Sequence, residues 1–382
     1  MIVTPRNIPA SDLEAFQKEF PAVHLIRVGY QRPGLLKRIT NFFRKLTYKY
    51  IFRSFPYQIR KNSHLRNLLL RDLGFITSVR KIASSNSYDL IQVEHTINMG
   101  LVEILPKDVP KIFVHHEISH TRIGADLIAQ QADPRFAART AKLAENLELN
   151  WLQRYEGIIT LSDDDRRLLR EKGIRRPISV AEPFAYFEEE VENIFNPIPT
   201  PDLLFVGGES HYPNREGLAW FLRDVFPLIR EKFPGVRTLV AGTWTPEFAA
   251  EHESESVEFP GFVENLKTVM KDHIMIIPVR IGSGVRVKAL MAFACGVPVV
   301  STPAGIAGIP GLADQRNILL AEPAQSFAHA VEQLLVSPEL RRNISDSCFD
   351  LARSRFASGR FARERNEFYE QVFNDAKRGR SV

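Results

Sequence analysis

The chain has 382 residues, 44% of them apolar and 25% charged, which suits a soluble globular protein with room for two cores. Its two cysteines, Cys295 and Cys348, are too few for a disulfide framework or a cysteine-based zinc site. No apolar run reaches the length of roughly eighteen residues that a membrane helix needs, and the start MIVTPRNIPASDLEAF lacks the pattern of a secretory leader, so a cytoplasmic location is expected.

The net charge of +5 is unevenly placed. Residues 32–81 carry thirteen Lys or Arg against Asp72 alone, which makes that stretch +12 and the rest of the chain −7. Phe42, Phe43, Tyr48, Tyr50, Phe52, Phe55 and Tyr57 are interleaved with the basic residues. This pattern fits either a solvated helical face with its aromatics turned inward or attachment to an anionic membrane surface. Nucleic acid is not expected as a partner.

Along the chain, short apolar runs at residues 23–28, 90–93, 111–115 and 157–161 predict buried strands. Helical spacing predicts a long helix over residues 134–155. A second helix is expected over Asp163–Glu171, with Ser162 as N-cap and Gly173 as its stop. Residues 181–202 are acidic and proline-rich without periodicity, as a linker would be. Beyond them, strands are expected at 203–206, 237–241, 257–259, 274–279, 297–301 and 318–320. Helices are expected at 216–232, 263–270, 285–294, 324–335 and 357–377. The alternation predicts an α/β chain of two Rossmann-like domains, residues 1–188 and 189–355, facing a central cleft. Residues 356–382 form a C-terminal helix that would return to the first domain.

The most informative stretch is IMIIPVRIGSGVRVKALMAFACGVPVVSTPAG, residues 274–305. A strand runs into Pro278, then the small turn Gly282-Ser283-Gly284, then a helix. Glycines let main-chain N–H groups approach a ligand, and the helix start adds partial positive charge, so this turn is a natural phosphate cradle. Arg280, Arg286 and Lys288 place fixed charge around it. A dinucleotide fingerprint is not met, because Val287 stands where the third glycine belongs and the next strand ends in Ser301-Thr302 without an acid. No GKS or GKT follows the glycines, so a P-loop is excluded too.

PVRIGSGVRVKALMAFACGVPVVSTPAGIAGI resembles the core of the retaining GT-B glycosyltransferases of family four, the group 1 family. FVGGESHYPNREGLAWFLRDVFPLI, LVAGTWTPEF and VEFPGFVENL resemble further stretches of that family's C-terminal domain. In the first half the likeness is carried by YDLIQVEH, IFVHHE and GIITLSDDD. The resemblance implies that Gly207 and Gly208 lie against the diphosphate or donor sugar, and that Phe262 and Val263 flank the nucleobase. It also implies that Gly282, Ser283, Gly284, Arg286 and Lys288 surround the diphosphate. His116 falls where the family often places a histidine facing the transferred sugar; a loop histidine without a role is the alternative. His115, and then Glu94 and His95, are the next candidates.

Two departures stand out. The family's pair of glutamates, eight residues apart, is replaced by Ser283 and Met291. Met291 cannot accept ribose hydrogen bonds, so another group holds the ribose, the nucleotide binds more weakly, or the donor is a deoxyribose nucleotide such as a dTDP-sugar. Set against the family, the N-terminal domain is expected to lack the first strand, loop and helix, through either a truncated start or a degenerate domain.

The resemblance implies transfer of a sugar from a nucleoside-diphosphate donor to a hydroxyl acceptor, with retention and with neither cofactor nor metal. Charge on the departing diphosphate would be met by the turn, Arg286 and Lys288. Asp163 to Asp165 read as the first turn of a helix rather than as metal ligands. Surface polysaccharide or glycolipid assembly at the inner membrane face fits the basic aromatic stretch, with a glycan or lipid-linked acceptor. The alternatives are a catalytically inactive GT-B subunit that binds or scaffolds, and a sugar-nucleotide epimerase on the same fold.

Overall fold

The computed structural model describes residues 2–4, 14, 16, 18, 21, 25–27, 73–85, 87–129, 131–181, 193–195, 198, 201–281 and 287–378. Phe42, Phe43, Tyr48, Tyr50, Phe52, Phe55 and Tyr57 of the basic stretch therefore lie outside the described residues, as do Gly282, Ser283, Gly284 and Arg286 and most of the 181–202 linker.

The first half contains β1 (Ile2–Thr4), β2 (Leu25–Arg27), α1 (Leu73–Ser85), β3 (Ile91–Glu94), β4 (Lys111–His115), α2 (Ser119–Ala129), α3 (Pro134–Leu152), β5 (Gly157–Thr160), α4 (Asp163–Glu171) and β6 (Ile178–Val180). Strands β3-β4-β5-β6 form a parallel sheet in that order, and β1 pairs with β2. Strands β1 and β6 and helices α1 and α2 were not anticipated. The strands are only three residues long, and α2 opens on the polar run Ser119-His120-Thr121-Arg122. Helix α4 forms as its sequence dictates: Ser162 Oγ accepts from Asp165 N at 3.1 Å, and three aspartates occupy the first turn.

The second half contains β7 (Asp202–Val206), α5 (Tyr212–Trp220), α6 (Phe226–Lys232), β8 (Thr238–Ala241), α7 (Pro246–His252), β9 (Val257–Gly261), α8 (Leu266–Met270), β10 (His273–Ile277), α9 (Val287–Ala294), β11 (Val299–Ser301), β12 (Leu319–Leu320), α10 (Ala324–Val336), α11 (Pro338–Arg355) and α12 (Ser358–Arg378). Its sheet is parallel in the order β12-β11-β10-β7-β8-β9. The single helix expected over 216–232 is broken by a π-helical turn at Phe221–Val225. Pro227 explains this, because it lacks an N–H and its ring crowds the carbonyl four residues earlier.

Side chains alternate through the six-stranded sheet. Leu203, Phe205, Ile274, Ile276 and Val300 enter one core, and Leu204, Met275, Ile277 and Val299 enter the other. In the four-stranded sheet, Val93, Phe113 and Ile158 face a core of the N-terminal half. On the opposite face, Ile112, Val114 and Ile159 are covered by Phe368 and Val372 of α12. The last helix thus packs on the first sheet. Gly157 permits this, since a Cβ there would stand 2.7 Å from Val372 Cγ2. Among the described residues, no helix is long and apolar enough to cross a membrane.

Candidate functional site

In the larger sheet the chain order reverses beside β7, which has β8 on one side and β10 on the other. The carboxyl ends of strands at such a switch point frame a crevice where α/β folds bind ligands. Here that edge is made mostly of backbone. Gly207 follows β7 and Gly242 follows β8, and the loops are tied together by Gly207 N to Ala241 O and Gly242 N to Gly261 O, each 2.9 Å. Gly242 has φ 140°, and a Cβ on it would meet the Gly207 carbonyl. A Cβ on Gly207 would stand 2.6 Å from Asn214 Nδ2 and 2.9 Å from Lys288 Nζ. No side chain fits at either position, so Asn214 and Lys288 close directly over Gly207, and the two glycine loops pack backbone against backbone.

Lys288 is the cation held at this edge. Its Nζ donates to Asn214 Oδ1 at 2.8 Å and lies 4.7 Å from the Phe205 ring centroid. Asn214 is buried at 7% exposure and also donates to Gly208 O at 3.0 Å, so one amide fixes both the lysine and the glycine loop. Arg280 is placed differently. It pairs with Glu216 and lies 4.8 Å from the Trp220 ring centroid, so its charge is committed within the domain. Buried Thr302 donates to Val279 O and accepts from Gly305 N at 3.0 Å, which fixes the backbone just after β10. Phe262 is 81% exposed just beyond β9, while Val263 and Met291 pack half-buried against one of the two cores.

The carboxyl end of the smaller sheet is made of side chains instead. His116, after β4, has Nε2 3.3 Å from Glu94 Oε2, and its ring stacks on His95 with centroids 4.3 Å apart. The hydrogen bond from His116, working against partial burial, holds the Glu94 carboxyl below its ordinary range. Helix α12 reaches the same place: Arg365 Nη2 donates to Gln92 Oε1 at 3.1 Å, and Tyr369 bonds the same oxygen.

Beneath His116 lies a buried carboxylate, Glu148. His115 Nε2 and His120 Nδ1 each bond it at 2.7 Å, and the main-chain N–H groups of Ser119 and His120 each donate at 3.1 Å. Burial alone would raise the Glu148 carboxyl, but the bonds from both histidines outweigh it and hold it well below the ordinary carboxylate range. An ionised carboxylate only accepts, so both rings donate, and the loop from His115 to His120 is clamped.

The sequence reading therefore brought Gly207, Gly208, Lys288, Phe262, Val263 and Met291 to the larger sheet and His116 to the smaller one. It missed Asn214, Glu148, and the arrival of Arg365 and Tyr369. Glu148 carried a signal, since it continues the buried helical row Ala137, Thr140, Ala144 and Leu152 of α3. A charge on an apolar stripe marks a buried partner.

Two family models match the chain: Glycosyltransferase Family 4 over residues 20–184 and Glycosyl transferases group 1 over residues 200–337. A 44.6 kDa protein in the cps region of Klebsiella pneumoniae is 29% identical over 169 residues, 41% of this chain and 42% of that protein's length. Among solved structures, sucrose-phosphate synthase from Thermosynechococcus elongatus aligns with a TM-score of 0.63 at 16% identity, covering 79% of this chain and 78% of that one. HepE from Anabaena, solved with UDP and glucose, aligns with a TM-score of 0.60 at 13% identity, covering 94% and 88%. These likenesses show the GT-B fold. With two family models matching more than three quarters of its length, the chain belongs to the group 1 glycosyltransferases.

Proposed function

We propose that the protein transfers a sugar from a nucleoside-diphosphate donor to a hydroxyl acceptor, with retention at the anomeric carbon. The observation that carries this reading is the glycine edge at Gly207 and Gly242, which lets Asn214 hold Lys288 close over the backbone. A fixed ammonium beside two glycine loops, together with the start of α9, suits a diphosphate. As the bond from the sugar to the diphosphate breaks, negative charge grows on the leaving oxygen, and Lys288 stabilises it without first having to reorganise. Gly282, Ser283, Gly284 and Arg286, which lie outside the described residues, would supply the remaining donors, with no metal or cofactor required. His116, set by Glu94 and the clamped loop, faces the transferred sugar.

UDP is the first donor nucleotide to test, because HepE was solved with UDP. Met291 makes dTDP the second, since a deoxyribose asks one fewer hydrogen bond of the site. The relative in a cps region supports a role in surface polysaccharide assembly. The basic stretch of residues 32–81 would then hold the enzyme at an anionic membrane where a lipid-linked acceptor resides. Salt-sensitive sedimentation with anionic vesicles tests that attachment. The reaction is tested by incubating the purified chain with UDP-, GDP- and dTDP-sugars and reading nucleoside diphosphate release by mass spectrometry. One donor class should be consumed, and failure to bind any of the three would overturn the reading.

A further inference from the structure

Helix α12 meets β3 through a chain of hydrogen bonds that ends on His116. Arg365 is largely buried on α12, its side chain 15% exposed and its guanidinium 5.0 Å from the Phe361 ring centroid. Its Nε donates to Tyr369 Oη at 2.9 Å and its Nη2 to Gln92 Oε1 at 3.1 Å, and Tyr369 Oη donates to the same amide oxygen. Gln92 Nε2 then donates to Glu94 Oε1 at 2.5 Å, and Arg365 Nη2 stands 3.7 Å from that oxygen. The other oxygen, Oε2, is left to His116 Nε2 at 3.3 Å.

The arginine sets the polarity of the whole chain. A guanidinium has donors only, so the Gln92 amide must turn its oxygen to α12 and its N–H groups to Glu94. Turned the other way, the amide would set its own N–H groups against the donors of Arg365. With Oε1 held from that side, Glu94 offers Oε2 to His116, and an ionised carboxylate only accepts. His116 therefore carries a hydrogen on Nε2, and Nδ1 of the neutral ring is the nitrogen that can accept from a hydroxyl. His95 stacks on the ring at 4.3 Å and 20°, which limits its rotation. The hydrogen bond from His116 does most to hold the Glu94 carboxyl down, and the charges of His116, Arg365 and His95 add to it against burial. Tyr369 faces the same carboxyl as a neutral phenol, its titration pushed up by burial.

We propose that Arg365 is a positioning residue for His116, acting through Gln92 and Glu94 to fix which imidazole nitrogen accepts from the transferred sugar. The assignment rests on the reading of His116 as the group that faces that sugar. The end of the smaller sheet is then completed by a helix from the far end of the chain, 273 positions beyond Gln92. Lysine is not an equal substitute at this position. It returns a positive charge near Glu94, but it has no planar fork to bond Tyr369 and Gln92 together.

Two measurements test this, and the first needs no turnover. The Glu94 carboxyl is titrated by ¹³C NMR in the unliganded full-length chain, its signal assigned by its loss in Glu94→Gln. Its midpoint should move upward in Arg365→Met and stay near the parent's in Arg365→Lys. The second is turnover of the donor that the chain consumes. Arg365→Met should lower kcat about tenfold with UDP affinity by calorimetry unchanged, and its activity should fail at a higher pH on the acid side. Arg365→Lys should recover only part of kcat. Gln92→Leu cuts the same chain without touching α12, so it should lower kcat by a like factor even if Arg365→Met folds poorly. An unmoved Glu94 midpoint in Arg365→Met, or a parental kcat in Gln92→Leu, would overturn the assignment. If no donor is consumed, the proposed reaction fails, while the titration still decides whether α12 sets Glu94.

Discussion

The two sheets end in opposite ways. The larger one presents backbone: glycine follows β7, β8 begins a second glycine loop, and a single lysine is positioned over both. The smaller one presents protonatable side chains, Glu94, His95 and His116, above a buried carboxylate. The contrast reflects the ligands each can serve. A diphosphate is matched by many main-chain N–H groups and little else, whereas a sugar hydroxyl needs directed side-chain donors and acceptors. The supports differ as well. Both faces of the larger sheet are packed by its own half of the chain, while one face of the smaller sheet depends on α12 from the far end.

The largest expected effect falls on the smaller sheet. Glu148→Ala removes four accepted hydrogen bonds and leaves His115 and His120 buried without their partner. Urea unfolding should show a loss of about 4 kcal/mol. If the loss is below 1 kcal/mol, the clamp contributes nothing and the comparison fails on this side. The matching change in the larger sheet is Gly242→Ala, which drives a Cβ into the Gly207 carbonyl at a positive φ. It should cost about 3 kcal/mol by the same measurement, and it should weaken nucleotide binding because Gly207 must move.

A smaller effect follows from protonation. The folded-state pKa of Glu148 lies below its ordinary value of 4.5, so its stabilisation is complete above that pH and is lost as pH falls toward the folded value. Asp165, raised by burial, acts in the opposite sense over the same window and shallows the slope. The stability gap between the parent chain and Glu148→Gln should therefore narrow as urea unfolding is repeated below pH 4.5. A constant gap would mean that Glu148 is already protonated when folded. The mildest change is Asn214→Ala, which frees Lys288 but leaves its charge. It should reduce nucleotide affinity about tenfold, near 1.4 kcal/mol, read by calorimetry.

Much of the larger sheet was legible because its strands are apolar runs and its turn is a glycine pattern that few other sites produce. Ser162 and its three aspartates announced α4 outright. Legibility failed where partners are distant in sequence. Lys288 meets Asn214 across 74 positions, His115 meets Glu148 across 33, and Arg365 meets Gln92 across 273. No local period encodes such meetings; the fold creates them. Helix α11 was missed for another reason: with charges spread along it, its apolar stripe is narrow, and only the Ser337 cap and Pro338 marked its start. Arg280 gained a partner that its neighbours in sequence did not announce. Glu216, 64 positions earlier, pairs with it.

The account rests on a nucleoside diphosphate lying over the Gly207 edge against Lys288. Calorimetric titration of UDP into the parent chain and Lys288→Met tests this directly. Loss of one charge-assisted contact should weaken binding roughly 30-fold, about 2 kcal/mol, with thermal melting of the unliganded chain little changed. Equal affinity of the two proteins for UDP would contradict the placement of the diphosphate at this edge.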